Sequence, residues 1–410
     1  MRKIDLFAAG IASLALSACG SSSPSTTSSN SMPGMDMSTP MSSPSTPAVI
    51  APSASPGAVG ASGNPFADPL PGMPRIPASG VYGDSTTLSS AVASDPAYIY
   101  VPDSNQTSGG TTTVIDQNTH QIVRVLPSGL LSQHVTPSHD LRHIFVEASV
   151  ANRLYGIDPS TGQAATSYSI ERPYNLYFTP DGKFGVEMDE EHQKIQFTDP
   201  NTFKVVKTIS DPSCQGPNHA DFSANGRYFV VSCEFSGEIL KIDTLEQKVV
   251  GHLSLGNGAM PQDVRLAPDG RSFYVAAMML SKLVQIPWDT FTVAKEYSTM
   301  TMPHGIYFSR DQKRLFLTAR GAGAVQVFDL AQSKFVATWQ TPEHYHLDMG
   351  GLSVDGKTLW ISARNEGWVL GFDTTTGAVV AKIHVGGMPH GLLVWPQPGR
   401  YSIGHTGVTR

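Results

Sequence analysis

Short alternating runs of apolar and polar residues dominate the chain from about residue 94 onward. Runs such as residues 228–231 and 238–242 are too short for helices and show the period of two that marks half-buried strands. Tight turns separate the runs, because Asp-Gly and Asn-Gly pairs supply the positive φ that hairpin turns require. The pattern predicts an all-β domain of short antiparallel strands. The turns precede strands at residues 180–183, 224–227, 268–271, 310–313 and 354–357.

An apolar strand that ends in aspartate recurs along the same region at intervals of 40 to 46 residues. Four short strands in each repeat of about 43 residues are typical of a β-propeller blade. The first unit, from Tyr98, lacks its innermost strand, and one spare strand remains at residues 391–395. We therefore predict a seven-bladed β-propeller of four-stranded antiparallel blades over residues 94–410. The C-terminal strand is expected to join the N-terminal blade and close the ring, which removes both sheet edges. The marker aspartates are Asp116, Asp158, Asp199, Asp243, Asp289, Asp329 and Asp373.

The beginning of the chain predicts export and lipid attachment. It opens with Met-Arg-Lys, continues with an apolar run over residues 6–16 and reaches the tetrad Leu-Ser-Ala-Cys at Cys19. A basic start, a short apolar core and small residues before the cleavage point indicate an export signal over residues 1–18. The tetrad resembles the bacterial lipoprotein signal, whose cysteine is lipidated. We expect the mature protein to be anchored through Cys19 to a membrane of the bacterial cell envelope, outside the cytoplasm. The alternative is an ordinary secretory signal.

Residues 19–93 are rich in Ser, Pro, Thr, Ala and Gly, and such a composition predicts a disordered tether. Residues 64–74 are more apolar, which favours docking on the folded body. Four methionines fall within ten residues of the tether, and thioethers are soft ligands that suit Cu(I). This run resembles the methionine-rich segments of periplasmic copper-handling proteins; the alternative is compositional drift in a linker. The methionines are Met32, Met35, Met37 and Met41.

Strand motifs at residues 100–105, 273–276 and 315–320 resemble the repeat core of the YVTN-type seven-bladed propellers. The resemblance covers the chain from about residue 94 onward. It extends to the lactonase-like propellers and, more distantly, to the haem d1 propeller of the cytochrome cd1 nitrite reductases. These motifs specify a fold, and members of the family differ in function.

In a propeller, the first residues of the inner strands surround the central channel. Aligning the repeats puts histidines at this height in four of them, and Asp263 in another. One interpretation is that these groups hydrogen-bond to one another and to water in the channel. The other is that they bind a metal ion or an anionic ligand, since imidazole suits Cu, Zn, Ni or Fe. The aligned pairs are Gln133-His134, Tyr174-Asn175, Asn218-His219, Gln262-Asp263, His304-Gly305, Asp348-Met349 and His390-Gly391.

Charged residues end the second strands, and the strand order places them at the same mouth of the channel. Negative blades oppose positive blades there, an arrangement suited to a dipolar or carboxylate-bearing ligand. The alternative is a solvated rim without a ligand. The rim residues are Glu147, Glu187, Glu234, Arg320 and Arg364.

Two cysteines of one unit, Cys214 and Cys233, are expected at the same mouth. An oxidising compartment favours a disulfide between them. If reduced, the pair would instead strengthen a soft-metal site beside His219.

Composition and motifs limit the function. The net charge of −6 argues against nucleic-acid binding, which requires a basic surface. The sequence contains no Cys-x-x-Cys-His, Gly-x-Ser-x-Gly, His-Glu-x-x-His or phosphate-loop motif. We predict a monomeric, lipid-anchored propeller that binds a small ligand or a metal ion, with a connection to copper, and we assign no catalytic residue.

Two other functions remain open at this point. One is a lactonase-like, metal-assisted hydrolase, with Glu187 or Asp263 as the base and His219 or His304 as ligands. The other is a protein-interaction platform with an empty channel.

Overall fold

The computed structural model describes residues 63–410 except residues 79, 84 and 85. Within this part of the chain, seven antiparallel sheets follow one another, and four strands of each form a blade. The inner strands of successive blades contact one another in a closed ring. The predicted seven-bladed propeller is confirmed. Cys19 and the methionines at positions 32, 35, 37 and 41 lie outside the described residues.

The first three blades contain the closing strand and, in blade 3, two additional strands. From the inner to the outer strand, blade 1 consists of β28 (Leu393–Trp395), β1 (Tyr98–Pro102), β2 (Thr111–Asp116) and β3 (Ile122–Pro127). Blade 2 consists of β4 (Ser132–Pro137), β5 (Ile144–Ala148), β6 (Arg153–Asp158) and β7 (Gln163–Ser169). Blade 3 consists of β8 (Asn175–Phe178), β9 (Gly185–Asp189), β10 (Lys194–Thr198) and β11 (Val205–Ile209), and β29 (Ser402–Gly404) and β30 (Val408–Thr409) extend its inner edge.

The remaining four blades are consecutive in the chain. Blade 4 consists of β12 (Pro217–Phe222), β13 (Tyr228–Cys233), β14 (Glu238–Asp243) and β15 (Lys248–Ser254). Blade 5 consists of β16 (Pro261–Leu266), β17 (Ser272–Ala277), β18 (Lys282–Pro287) and β19 (Lys295–Ser298). Blade 6 consists of β20 (Pro303–Phe308), β21 (Arg314–Ala319), β22 (Ala324–Asp329) and β23 (Lys334–Gln340). Blade 7 consists of β24 (Leu347–Leu352), β25 (Thr358–Ala363), β26 (Trp368–Asp373) and β27 (Val379–His384), and short 3₁₀ turns occur at Met278–Leu280 and Arg320–Ala322.

The hydrophobic core lies between the blades. Every residue of β12 and β13 is buried, whereas most of the outer strand β15 is exposed or half-buried. Inner strands pack on both faces, so they lack the exposed polar face of the outer strands. One core cluster joins Phe197 of blade 3 to Phe229 of blade 4. The inner strands begin at one end of the channel, called here the histidine end. The tight turns that follow these strands lie at the opposite end, called here the turn end.

Pairing of β28 with β1 closes the ring. Tyr98 pairs with Trp395, and Tyr100 pairs with Leu393. Trp395 is fully buried, and its indole Nε1–H donates to Asp95 Oδ2 at 2.9 Å. Strand β28 therefore supplies both the inner strand that blade 1 otherwise lacks and a large core side chain.

Residues preceding the first blade are docked at the turn end, so the folded region begins well before residue 94. The Leu70 amide donates to the Asn225 carbonyl at 2.7 Å, and the Val81 amide donates to the Pro268 carbonyl at 3.2 Å. Both acceptors belong to tight turns of successive blades, and the side chains of Leu70 and Val81 are buried. The predicted tether boundary therefore lies too far along the chain, because scattered apolar residues in a proline-rich segment pack on the turns. No helix among the described residues is long and apolar enough to cross a membrane.

We expect Trp395→Ala to lower the free energy of unfolding by about 3–5 kcal/mol, because it leaves a cavity in the closing blade. Urea unfolding followed by tryptophan fluorescence and circular dichroism measures the change. Val380→Ala on the outer strand β27, where the side chain is 52% exposed, is the control and should change stability by less than about 0.5 kcal/mol. Equal effects of the two substitutions would show that ring closure contributes little.

Candidate functional site

Histidines at the beginning of three inner strands, and one just before the fourth, meet in the channel. His134, His219, His304 and His390 come from blades 2, 4, 6 and 1, and all are buried. The ring centroids are 4.7 Å apart for His134–His390 and 5.4 Å apart for His134–His219. They are 6.0 Å apart for both His219–His304 and His304–His390. The propeller thus brings together histidines that are distant in the sequence.

A fifth histidine, His405, joins this group from a segment without a repeat. Its ring centroid lies 4.7 Å from that of His219 and 5.3 Å from that of His134. His405 is at the tip of the hairpin formed by β29 and β30, called here the 402–409 hairpin. The five residues His134, His219, His304, His390 and His405 are called the histidine cluster. Sequence reasoning missed His405 because residues 396–410 follow the closing strand and match no blade.

The 402–409 hairpin fills the turn end of the channel. Gly404 in β29 pairs with Tyr177 of the inner strand β8, so the hairpin continues blade 3 towards the axis. The Ser402 amide donates to the His139 carbonyl at 3.1 Å, just beyond the end of another inner strand. The water-filled channel of the first interpretation is therefore replaced by protein at this end.

Glycine allows the close approach of the hairpin to blade 3. Gly404 has φ of 108°, and a Cβ there would lie 2.3 Å from the Leu176 carbonyl oxygen. The next two residues, His405 and Thr406, have φ of 34° and 47°. Non-glycine residues adopt this left-handed region uncommonly. The tip that presents His405 is therefore held in a conformation that an isolated hairpin would not favour.

Hydrogen bonds at Nδ1 orient two of the rings. The Nδ1 atom of His134 lies 2.9 Å from the carbonyl oxygen of Tyr174, and Nδ1 of His390 lies 2.8 Å from Asp348 Oδ2. Both partners are acceptors, so each Nδ1 carries the proton and each Nε2 retains its lone pair. The Nε2 atoms of His134, His219, His390 and His405 are buried and have no hydrogen-bond partner among the described residues.

Asn175 of blade 3 lies between two other rings. Its amide nitrogen is 2.9 Å from His405 Nδ1 and 3.3 Å from His219 Nδ1. Its amide oxygen is 3.2 Å from His405 Nδ1. When Nδ1–H of His405 donates to this oxygen, its Nε2 lone pair faces the cluster. With the amide nitrogen facing His219, Nδ1 of that ring accepts and its Nε2 carries the proton; with the amide turned over, its oxygen accepts from Nδ1–H and Nε2 keeps its lone pair. Asn175 thus takes the place of a histidine in blade 3 and sets which nitrogen of the neighbouring imidazoles is protonated.

The cluster is uncharged at neutral pH. Burial lowers the pKa of His134, His219, His304 and His405 well below the usual value. Burial also lowers the pKa of His390 to about 4, although Asp348 acts in the opposite direction. Neutral imidazole is the form that binds metal ions.

Asp348 of blade 7 links the cluster to two arginines. Its carboxylate contacts the guanidinium of Arg320, and Arg364 Nη1 lies 3.7 Å from Oδ2. His304 Nδ1 lies 3.2 Å from Oδ1. Burial by itself raises the pKa of Asp348, but Arg320 and the imidazoles of His390 and His304 hold it well below its usual range. The aspartate is therefore ionised, and the arginines compensate its charge.

Asp263 of blade 5 approaches the cluster from another side. Its Oδ2 atom lies 3.3 Å from Nε of the buried Arg265 and accepts from the Ile306 amide at 2.9 Å. Its Oδ1 atom lies 3.4 Å from His405 Nε2 and has no hydrogen-bond partner among the described residues. One oxygen of Asp263 is thus engaged, and the other faces the imidazoles.

The residues present fit a transition-metal ion. Single nitrogen atoms of His134, His219 and His405 all lie within 4.8 Å of one another. An ion bonded to imidazole at about 2.0–2.1 Å needs only a small convergence of these atoms. The thioether of Met349 adds a soft donor beside the cluster, with Sδ 3.0 Å from His304 Nδ1. A second group, Glu171, Asp189 and His192, is less suited, because Lys194 already pairs with Glu171 at 3.0 Å.

Two of the glutamates predicted for the rim, Glu187 and Glu234, are buried in the structure. Glu187 is fully buried, both of its carboxylate oxygens lack a described partner, and burial raises its pKa well above the usual value. Glu234 is nearly buried, and its carboxylate accepts from the side-chain amide of Asn218 at 2.9 Å. Both arginines of the predicted rim, Arg320 and Arg364, pair with Asp348. The glutamates are buried because the second strands, like the inner strands, pack between neighbouring blades.

Cys214 and Cys233 form a disulfide in blade 4, with Cα atoms 5.1 Å apart. Cys233 pairs with Pro217, the first residue of the strand that carries His219. The bond ties the segment before this inner strand to its neighbour. It also removes both thiols as metal ligands, so the reduced alternative does not describe this structure.

Comparison with protein families identifies one match. Residues 157–341 match the family model "Lactonase, 7-bladed beta-propeller". The matched region runs from β6 of blade 2 to just beyond β23 of blade 6. No curated protein matches the chain.

Solved structures with the same fold include three at low sequence identity. Hydrazine synthase of Kuenenia stuttgartiensis has a TM-score of 0.55 at 17% identity, covering 63% of this chain and 87% of that chain. A functionally unknown protein from Desulfotomaculum acetoxidans has a TM-score of 0.60 at 17% identity, covering 72% and 98%. The dihydro-heme d1 dehydrogenase NirN, in complex with DHE, has a TM-score of 0.56 at 13% identity, covering 80% and 79%. At identities this low, the comparison establishes the shared fold alone.

Proposed function

We propose that this protein is a lipid-anchored, extracytoplasmic propeller that binds a transition-metal ion in the histidine cluster. The observation that carries the proposal is the set of buried, unpaired Nε2 atoms on His134, His219 and His405. A buried nitrogen without a partner costs free energy, and coordination to an ion would satisfy all three at once, with the Asn175 amide turned so that its oxygen accepts from Nδ1–H of His219. His390, which has the same free Nε2, stands next to His134 as a further donor.

The donors favour one class of ion. Calcium and magnesium require several oxygen ligands, whereas Asp348 is already paired with arginines and one oxygen of Asp263 is engaged. Neutral imidazole, with the Met349 thioether nearby, suits copper, zinc or nickel. The methionines of the tether, outside the described residues, give additional support to copper. The hydrogen bonds that orient the rings also match a metal site, because the Tyr174 carbonyl and Asp348 accept from the Nδ1–H groups of His134 and His390.

We predict that the purified protein, when supplied with Cu(II) or Zn(II), binds about one ion per chain. Elemental analysis after dialysis, followed by titration calorimetry, measures content and affinity. His219→Ala should weaken binding by more than about tenfold, because it removes a ligand, and losing even a residue that only orients a ligand costs about 10–100-fold in affinity. The control is His252→Ala, an exposed histidine on the outer strand of the same blade. Absence of bound metal above the buffer blank would overturn the proposal.

Hydrolysis of a lactone is a second candidate, favoured by the family match over residues 157–341. A bound ion would supply polarisation of the lactone carbonyl and activation of water. Asp263 is the remaining candidate for a base, because its Oδ1 is unpaired beside His405. Glu187, the other carboxylate considered from the sequence, is less suited, because its burial raises its pKa well above the usual value and so disfavours the ionised form that a base requires.

The hydrolase proposal predicts acid release from members of a lactone panel that depends on added metal. Asp263→Asn should lower this release by about 10²–10⁴-fold, because it removes the general base, while the metal content stays unchanged. Release is followed with a pH indicator. No turnover on any lactone by the metal-loaded protein would rule this candidate out and leave the binding function.

Attachment to the membrane through Cys19 is proposed from the sequence motif. Expression in a bacterial host with labelled palmitate should show label in the wild-type protein and none in Cys19→Ser, because serine cannot accept the thioether-linked lipid. Fractionation should move the variant from the membrane to the soluble fraction. Ser21→Ala is the matched control and should remain labelled. Labelling of Cys19→Ser would contradict the assignment.

A further inference from the structure

Arg410 holds the base of the hairpin whose tip is His405. The Arg410 amide donates to the Tyr401 carbonyl at 2.9 Å, and the Arg400 amide donates to the Arg410 carbonyl at 2.8 Å. These bonds bring the two ends of the 402–409 hairpin together. The side chain of Arg410 is buried.

The guanidinium of Arg410 is bound to β12, the strand that carries the proposed metal ligand His219. Its Nη2 donates to Asp221 Oδ1 and to the Phe222 carbonyl, both at 2.6 Å. Its Nη1 donates to the Ser223 carbonyl at 3.1 Å. Asp221 lies in β12, two residues after His219. The ion pair thus fixes the hairpin to the strand that presents His219 to the cluster.

The aspartate of this pair is also held in place. Asp221 is fully buried, and its Oδ2 accepts from the Leu266 amide at 2.6 Å. This bond joins β12 of blade 4 to β16 of blade 5. A side chain bonded on both sides cannot swing towards solvent, so Arg410 is bound to a rigid point of the propeller.

The tip of the hairpin requires such an anchor. His405 and Thr406 both have positive φ, and backbone conformations of this kind persist only when the surrounding structure holds them. Inside the channel, the His405 amide donates to the Leu176 carbonyl at 3.1 Å, and its ring contacts Asn175. Without the anchor, an undocked hairpin would relax and take His405 out of the cluster.

We propose that Arg410, through Asp221, is the positioning residue that keeps His405 in the metal site, and that ion binding and hairpin docking stabilise each other. This inference rests on the proposed function. A ligand that binds the docked form through His405 must favour docking by the ratio of its affinities for the docked and undocked forms. Conversely, a smaller docked fraction lowers the apparent metal affinity in proportion.

Hydrogen–deuterium exchange of the full protein, with and without Zn(II), tests the coupling in the wild type. We expect Zn(II) to slow exchange in residues 401–410 by at least about tenfold. This factor corresponds to an ion that binds the docked form of the hairpin about ten times more tightly than the undocked form. Exchange in β26, an outer part of blade 7, should not change. In His405→Ala the remaining histidines still bind the ion, but protection of residues 401–410 should be lost.

Variants of the anchor test the positioning role. Arg410→Ala should weaken Zn(II) binding by about 10–100-fold, the range found for residues that orient ligands, and should speed exchange of the hairpin. Arg410→Lys, which keeps the charge but not the fork of donors, should recover part of the affinity. The matched control is Arg400→Ala, since Arg400 is exposed and lies in the same segment.

The outcomes separate this inference from the function on which it rests. Absence of metal binding by the wild type overturns both. Zn(II) binding with unchanged exchange of residues 401–410 overturns the coupling alone. Wild-type affinity in Arg410→Ala overturns the positioning role alone. Should Arg410→Ala fail to fold, the wild-type exchange experiment still decides whether the ion and the hairpin are coupled.

Discussion

The inner strands of the propeller all begin at one end of the channel, and the histidine cluster depends on this alignment. A side chain at the start of one inner strand lies near its counterparts in other blades, however far apart they are in sequence. The closed ring is what maintains the alignment, because each inner strand is fixed by the blades on both sides. Loss of the β28–β1 pairing would therefore affect the cluster as well as stability.

Buried arginines balance the carboxylates around the axis. Asp348 pairs with Arg320, Asp263 with Arg265, and Asp221 with Arg410. Breaking a buried pair by removing one partner costs about 3–5 kcal/mol, so these carboxylates are poorly available to an incoming cation. The imidazoles, in contrast, are neutral and leave nitrogen atoms unpaired. The electrostatic arrangement thus selects nitrogen over oxygen as the donor, which is the physical basis for preferring a transition metal to calcium.

Sequence periodicity predicted the blades and four members of the cluster, because each of these features repeats with the blade. Alignment of the repeats was sufficient to place His134 and His304 at one height. His405 could not be found in this way, since its hairpin occurs once and follows the closing strand. The burial of Glu187 was also missed: a strand pattern gives the position of a residue along the blade but not the depth of the neighbouring blade that covers it. Glycines at 404 and 407, flanking the histidine, were the available signal for a tight turn.

The hairpin gives the site something that the ring of strands cannot provide by itself. Side chains at one height on the inner strands approach the axis from the sides, and such donors tend towards a plane. A tetrahedral ion requires a donor outside that plane. His405 arrives from the turn end of the channel, along a different direction from His134 and His219. The same segment closes the channel beneath the cluster, so that the feature which would complete the proposed donor set also excludes solvent from that side. A propeller with the same ring but no hairpin would present histidines to an open channel, where water satisfies their nitrogens and competes with the ion.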